Sequence, residues 1–224
     1  MAKHLNLEEQ EQLDQLKSFW GKNGNWITWL LIAVLGSFAA WNGWNYWQRT
    51  QSAQAAALFD EIDRAVIAKD LARTEQATGD MQSRFGRTTF AVQASLLAAK
   101  AHVEAGQADK ARADLAWVIA EAKDESHRAV ARLRLAAVEL EAGQPDAALK
   151  ALDGPVPPSF EALVADRRGD VLMSQGKAAD ARAAYEKAWG GLSADADYRR
   201  LVEIKLASLG VDKTPAPATE GTKP

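Results

Sequence analysis

The sequence predicts an all-α protein in which an N-terminal transmembrane helix precedes a solenoid of helix hairpins. Three observations support this fold class: a long uncharged segment near the N-terminus, an alanine-rich remainder, and turn glycines that recur at regular intervals. The chain of 224 residues is 47% hydrophobic and 25% charged, which excludes a wholly disordered or multi-span membrane protein. It contains no Cys, which excludes disulfides and thiol catalysis, and its net charge of −3 gives no reason to expect nucleic-acid binding.

The transmembrane helix is predicted over residues 25–48. No charged residue lies between Lys22 and Arg49, and six of the eight Trp lie within or next to this segment, toward its two ends. The 22 residues from Trp26 to Trp47 make a helix of about 33 Å, which suffices to cross a hydrocarbon core of about 30 Å. Trp and Tyr at both ends are typical of the two membrane interfaces.

Two alternatives to an anchor are a cleaved signal peptide and a buried core helix. A signal peptide is disfavoured because the preceding region is long and carries four acids, Glu8, Glu9, Glu11 and Asp14. A core helix is disfavoured because the segment is too Trp-rich for a chain whose remainder is polar. Lys17 and Lys22 precede the span closely and only Arg49 follows it closely, which favours a cytoplasmic N-terminus. We therefore expect a cytoplasmic tail over 1–24 and a domain outside the cytoplasm over 49–210.

Three segments downstream share a turn glycine that is followed five residues later by Ala. The glycines are Gly106, Gly143 and Gly176. Each Ala is followed four residues later by a larger residue, namely Leu115, Leu152 or Tyr185. Gly allows the positive φ that ends a helix, the small Ala lets two helices approach, and the larger residue fills their contact. We also expect Asp109 and Asp146 to cap the second helix of their hairpins.

The third segment carries the fullest version of this pattern. Gly169 lies seven residues before the turn, where crossing helices need a small side chain, and Ala181 and Tyr185 form an alanine-x3-aromatic element. These are tetratricopeptide-like features. The first two segments are degenerate, with Ala99 and Ala136 in place of that glycine.

The remaining segments complete the solenoid. Residues 52–69 and 71–85 predict another hairpin, which lacks the glycine turn. Ser159 is expected to cap the next helix after a Pro-rich stretch. Residues 195–209 predict a last helix that covers the open end of the solenoid, and residues 211–224 predict a disordered tail.

No residue pattern predicts catalysis, a cofactor or a metal site. The chain has no phosphate-binding glycine loop, no Gly-x-Ser-x-Gly and no His-Glu-x-x-His. We expect His102 to be a half-buried core histidine. Asp166 and Asp170 lie on one helix face, where like charges need a nearby cation. Arg167 or an Arg of an adjoining helix is favoured for that role over a catalytic carboxylate pair, so we expect no enzyme activity.

The layout resembles a known family. The acidic tail, the signal-anchor that ends in Trp44-x-Tyr46-Trp47 and the degenerate hairpins together resemble the ancillary SecYEG translocon subunits of Gram-negative bacteria, the YfgM-type family. The closest local match is the segment from Ala162 to Tyr185, above all Val164 to Asp170 followed by Ser174-x-Gly176. The resemblance covers nearly the whole chain up to Leu209, and none of its motifs is a signature of chemistry.

This resemblance implies a single-pass protein of the bacterial inner membrane with a periplasmic repeat domain. It implies two partners, the SecYEG translocon and PpiD, a membrane-anchored periplasmic chaperone of the peptidyl-prolyl isomerase family. The implied function is a non-catalytic interaction module that helps newly exported proteins to leave the channel and fold. A tetratricopeptide-type scaffold for another cell-envelope assembly pathway stays open, because the repeats do not encode the identity of the partner.

A binding groove is expected on the concave side of the solenoid, lined by the first helix of each hairpin. Positions two, three, six and ten residues before each turn glycine should face it. From these positions we select as candidate partner-binding residues Leu96, Lys100, Glu104, Leu133, Glu141, Asp166, Asp170 and Met173. Apolar and charged side chains together suit a peptide held by hydrophobic contact and a polar rim. Alternatively, the last helix closes the groove and these residues serve ordinary packing.

Overall fold

The computed structural model describes the backbone of residues 7–212 and the side chains of residues 11–212. Within that range the chain is helical and has no strand, which confirms the predicted all-α fold class. The helices are α1 (Leu7–Ile67), α2 (Leu71–Phe85), α3 (Thr89–Glu104), α4 (Ala108–Glu121), α5 (Glu125–Glu141), α6 (Pro145–Ala151), α7 (Pro158–Ser174), α8 (Ala178–Gly191) and α9 (Asp197–Ser208). The chain forms two compact units, Met1–Ala53 and Gln54–Pro224.

The first unit contains the apolar part of α1. Among the described residues, α1 is the one helix long and apolar enough to cross a membrane, and only 6% of its most apolar window is buried. Leu35, Phe38 and Trp41 are all exposed. So long an exposed apolar surface is unfavourable in water and is removed from water by a bilayer. The limits 25–48 of the span stay a prediction, as does the cytoplasmic tail over 1–24.

Polar side chains within the apolar part of α1 are satisfied by the helix itself. The hydroxyls of Thr28 and Ser37 donate to the carbonyls four residues earlier at 2.8 and 2.7 Å. The side-chain amide of Asn42 donates to the carbonyl of Phe38 at 2.9 Å. These side chains therefore need no water, which lowers the cost of placing them in lipid.

The turns of the second unit follow the predicted pattern. Gly106, Gly143 and Gly176 have φ values of 70°, 72° and 73° and end the first helix of each hairpin. The N–H of Gln107 donates to the carbonyl of His102 at 2.8 Å, which closes the helix end in a Schellman-type arrangement. The expected caps are wrong, however. Asp109 lies inside α4, whose N-cap is Gln107, and this residue makes no side-chain capping bond.

The same correction applies to the two other predicted caps. Asp146 lies in the first turn of α6, which begins at Pro145, and Ser159 lies inside α7, which begins at Pro158. The helices α4 and α6 start two residues after their turn glycine, and α7 starts at a proline, so in each the polar residue is the second residue of the helix. The carboxylates of Asp109 and Asp146 still favour the positive end of the helix dipole.

The two helices of each hairpin pack over a small residue. A Cβ added at Gly169 would lie 2.4 Å from Cε1 of Tyr185, so the tyrosine ring occupies the space that a side chain at this position would need. In the first two hairpins Leu115 and Leu152 are buried in the same clusters as Ala99 and Ala136, respectively. The pairing of a small residue on the first helix with a larger one on the second is therefore confirmed in all three hairpins.

The upstream hairpin and the terminal helix also form as predicted. Ile62 of α1 and Met81 of α2 are fully buried in a common cluster, while Lys69 takes the positive φ of 56° that glycine takes in the other turns. Val202 and Leu206 of α9 are buried against the last hairpin. Val211 joins this cluster, so the predicted disordered tail cannot begin there. Residues 213–224 of that predicted tail lie outside the described residues.

We expect Gly169→Ala to destabilise the repeat unit, because the new Cβ meets the Tyr185 ring. The expected loss is about 1–2 kcal/mol, as overpacking typically costs. Gly79→Ala is the matched control, since the Cβ added at this other helical glycine meets nothing within 4 Å. It should raise stability by about 0.5–1 kcal/mol. Urea unfolding of the fragment 49–212 measures both.

The double variant Gly169→Ala/Tyr185→Leu reproduces the Ala–Leu pairing of the first two hairpins and should recover part of the lost stability. Equal stability of the Gly169→Ala variant and the wild type would contradict the close approach of α7 and α8.

Candidate partner-binding surface

The first helices of the first two repeats, α3 and α5, border a cleft of about 330 Å³. Its lining consists of Ala99, Lys100, Val103 and Glu104 from α3, Leu115 from α4, and Arg134, Ala137, Val138 and Glu141 from α5. Three of the predicted partner-binding residues, Lys100, Glu104 and Glu141, thus lie around one concavity. The structure brings them together because α3 and α5 are successive first helices that present the same face.

Two other predicted residues of these helices serve the core instead. Leu96 packs against the cluster built around Leu115, and Leu133 packs against the cluster built around Leu152. Both are half-buried and neither lines the cleft. The carbonyl of Leu96 accepts a hydrogen bond from Nη1 of Arg134 at 3.0 Å, which ties α3 to α5 beside the cleft.

The third repeat differs because α9 covers its predicted binding residues. Asp166 is only 1% exposed, and Nζ of Lys205 lies 2.8 Å from each of its carboxylate oxygens. The same Nζ lies 2.6 Å from Oδ1 of Asp170, and the hydroxyl of Tyr198 donates to Asp166 at 2.6 Å. The expectation that Asp166 faces an open groove is therefore corrected. Two like charges four residues apart are buried here because α9 brings them a cation.

Two tyrosines complete this network. The hydroxyl of Tyr185 donates to Oδ1 of Asp170 at 2.9 Å, and Tyr198 donates to Asp166. Burial, and after it the hydrogen bond to a carboxylate, holds the pKa of both tyrosines above its usual value. Both hydroxyls therefore remain donors at physiological pH. Together with Lys205 they attach α9 to α7.

The sequence indicated the need for a cation at this place but not its source. Arg167, the favoured local partner, does approach Asp170 at 3.5 Å. The main partner is Lys205, which lies 39 residues from Asp166 along the chain. One signal could have found it: Tyr198 and Lys205 are seven residues apart, on the same face of a helix that was expected to cover the solenoid end.

Met173, the last of the predicted residues, lies on the surface of α7 with 39% of its area exposed. It does not line the cleft between α3 and α5. The eight predicted residues therefore divide into three rim residues of a cleft, two core leucines, two carboxylates that contact α9 and one exposed methionine. That they bind a partner stays a prediction.

His102 is more deeply buried than expected and contacts a single carboxylate. Its Nδ1 lies 2.8 Å from Oδ2 of Asp114 across the α3–α4 contact, while its side chain is 2% exposed. Burial raises the pKa of Asp114, and the hydrogen bond to His102 opposes that shift. The pair is enclosed by packed helices, which places it in the interior of the hairpin rather than at a surface site. The described residues contain no group of three or more His, Asp or Glu placed to hold a metal ion.

Comparison with known proteins agrees with this geometry. A family model described as a tetratricopeptide repeat-like domain matches residues 17–211. The chain is 33% identical to the ancillary SecYEG translocon subunit of Neisseria gonorrhoeae over 93% of this chain and 100% of that protein. It is 31% identical to the subunit of the same name from Haemophilus influenzae over 82% of this chain and 89% of that protein. Identity to the Escherichia coli subunit is 35% over 56% of this chain and 60% of that protein.

The hairpins, their turns and the family match define a tetratricopeptide-repeat-like protein with an N-terminal helix that can span a membrane. Among such proteins, the chain belongs to the family of ancillary SecYEG translocon subunits. The names of these relatives, together with the one helix among residues 7–212 that is long and apolar enough to span a membrane, fit a single-pass protein of the inner membrane.

We expect Lys205→Met to destabilise the repeat unit, because it leaves the buried carboxylate of Asp166 without its cation. The loss of stability should be about 3 kcal/mol, the low end for a broken buried ion pair. The low end applies because the Lys205 side chain is still 22% exposed to solvent. Lys187→Met, on the exposed surface of α8, should change stability by less than about 0.5 kcal/mol.

Thermal unfolding of both variants measures this difference. Adding Asp166→Asn to Lys205→Met removes the buried charge and should recover part of the loss. Equal melting temperatures of the Lys205→Met and Lys187→Met variants would show that α9 is held without this contact.

Proposed function

We propose that this chain is a non-catalytic, membrane-anchored interaction module associated with the SecYEG translocon. The observation that carries the proposal is the similarity to an ancillary SecYEG translocon subunit over the whole length of that relative. Because the aligned region covers 93% of this chain, it includes the apolar part of α1 as well as the helix hairpins. Both parts of the molecule are thus shared with a protein named for the translocon.

The side-chain contacts support action through surfaces rather than through chemistry. Among the described residues, the buried titratable groups are engaged within the chain: His102 with Asp114, Glu139 with Arg112, and Asp166 with Lys205 and Tyr198. A general acid or base must reach a substrate, whereas these groups lie inside packed helices. The solenoid instead offers an open cleft, and α1 offers an apolar surface for the bilayer.

We further propose that the repeat domain lies in the periplasm and links the translocon to a membrane-anchored chaperone of the peptidyl-prolyl isomerase family, PpiD. Such a link would bring a folding factor to proteins as they leave the channel. Tethering favours this role because two modules held on one membrane meet at a high effective concentration, so weak contacts between them suffice.

The orientation can be tested with single cysteines, because the natural chain has none. We expect Ala183→Cys, on the exposed surface of α8, to react with a membrane-impermeant maleimide in intact spheroplasts. Ser18→Cys should react only after permeabilisation, because it precedes the span. The opposite labelling pattern would place the repeats in the cytoplasm.

The association can be tested by crosslinking in native membranes, purification of the full chain in mild detergent, and mass spectrometry. We expect the SecYEG subunits and the chaperone PpiD to be recovered. A variant in which residues 25–48 are replaced by an unrelated transmembrane helix shows whether the anchor contributes to the association. Recovery of only cell-wall or outer-membrane assembly proteins would favour a scaffold for another envelope pathway.

A further inference from the structure

The cleft between α3 and α5 has an apolar floor and a charged rim. Leu115, Ala99 and Val138 are buried at its base, while Val103 stays 37% exposed beside the opening. Its volume of about 330 Å³ is roughly twice that of a cavity of about 150 Å³ that admits benzene. The cleft therefore has room for one or two apolar side chains rather than for a whole helix.

The two basic residues of the rim are already engaged within the chain. Lys100 pairs with Glu104 at 3.6 Å, although both side chains are well exposed, and Arg134 donates to the carbonyl of Leu96. Glu141 is exposed and forms no ion pair among the described residues. An exposed ion pair such as Lys100–Glu104 contributes little to the free energy of folding. Glu104 can therefore pair with another cation at a small cost in free energy.

The two acidic residues lie where two helix ends add to their charge. Glu104 is the last residue of α3 and Glu141 the last residue of α5. The C-terminal end of a helix carries a partial negative charge and favours a cation. One side of the cleft rim therefore combines two carboxylates with two helix C-termini, and this combination attracts a basic side chain.

The third repeat shows how this face of a hairpin accepts a neighbouring segment. There α9 buries Val202 and Leu206, while Lys205 of the same helix reaches the carboxylates of Asp166 and Asp170. Asp170 lies six residues before the turn glycine, the position at which Lys100 and Ala137 line the cleft in the first two repeats. Asp166, ten residues before the glycine, matches Leu96 and Leu133, which pack against the core. At the position of Asp170 the molecule itself therefore places a basic side chain, from a helix that also buries apolar side chains next to it.

We propose that the cleft between α3 and α5 binds a segment of a partner polypeptide that inserts an apolar side chain between the helices and sets an adjacent Lys or Arg against Glu104 and Glu141. This inference rests on the proposed function and deepens it, since it gives the interaction module a defined docking site. Specificity comes from the pair of side chains, because neither a small apolar contact nor an exposed ion pair alone binds tightly.

The absence of natural cysteines allows a sensitive test with the full chain in lipid nanodiscs. Ala105→Cys places a thiol on the exposed residue that follows Glu104. Three synthetic peptides of equal length, each with one Cys, carry the pairs Leu-Arg, Leu-Glu or Ser-Arg next to it. Each peptide is supplied as its mixed disulfide with glutathione, so that thiol–disulfide exchange with the introduced thiol joins the peptide to the chain and releases glutathione. The yield of the peptide adduct in a fixed glutathione redox buffer, read by intact mass, reports which peptide occupies the cleft. We expect Leu-Arg to exceed both others by about threefold, the effect of one exposed ion pair or one small apolar contact.

Two double variants in this background test the rim charges. Glu104→Lys/Glu141→Lys should abolish the preference for Leu-Arg over Leu-Glu. Asp80→Lys/Glu121→Lys makes the same change in net charge at exposed acids outside the cleft and should retain it. Lysine near a helix C-terminus is favourable, so both variants should fold. Ala137→Leu, which grows into the cleft, tests the apolar contact independently and should abolish the preference for Leu-Arg over Ser-Arg.

Equal yields for the three peptides, or an unchanged preference in Glu104→Lys/Glu141→Lys, would overturn the proposal. So would a dimer in sedimentation equilibrium that dissociates in this variant, since a second copy would then be the occupant.

Recovery of SecYEG with each variant tests the proposed function separately from the docking site. If SecYEG is recovered with the wild type but the peptides show no preference, the docking site is wrong and the proposed function stands. If the preference for Leu-Arg is seen but SecYEG is not recovered with the wild type, the docking site stands and the proposed association with SecYEG is wrong.

Discussion

Close packing of two helices over one small residue is the constraint on which the repeat unit depends. The Tyr185 ring occupies the space of the missing side chain at Gly169, and the leucines at 115 and 152 meet alanines in the earlier hairpins. Each contact fixes the distance between the helices of a pair. Since each hairpin packs against the next, this distance also determines where the first helices lie, and hence the shape of the face that they share. The cleft between α3 and α5 follows from this arrangement.

Buried polar groups decide which parts of that face remain open. In the third repeat, two carboxylates of α7 are balanced by Lys205, and two tyrosine hydroxyls complete their hydrogen bonds. A carboxylate removed from water is stable only with such partners, so α9 belongs to the structural core of this end of the solenoid. Between α3 and α5 the charged side chains of the rim, Lys100, Glu104 and Glu141, stay exposed. One part of the face is therefore covered by the chain itself, while the other is exposed.

In the function proposed above, the two compact units have separate roles. The apolar part of α1 contacts lipid, and the repeat unit presents its surface to other proteins. Neither part needs great affinity by itself, because confinement to a membrane raises the effective concentration of any partner held there. A shallow cleft that takes one apolar and one basic side chain is consistent with such weak, exchangeable contacts.

Elements that depend on local periodicity and single-residue conformation could be predicted from the sequence. These are the apolar span, the turns at Gly106, Gly143 and Gly176, and the pairing of Gly169 with Tyr185, because hydrophobic runs, positive φ and side-chain size act over a few residues. The sequence also indicated that Asp166 and Asp170 need a cation. The repeat register also assigned Lys100, Glu104 and Glu141 to one groove. The tertiary structure was needed to show that Leu96 and Leu133 pack against the core instead, and that Lys205, 39 residues away from Asp166, is that cation. Such contacts join helices that are distant in the chain, and their geometry follows from packing angles and distances that no local pattern contains.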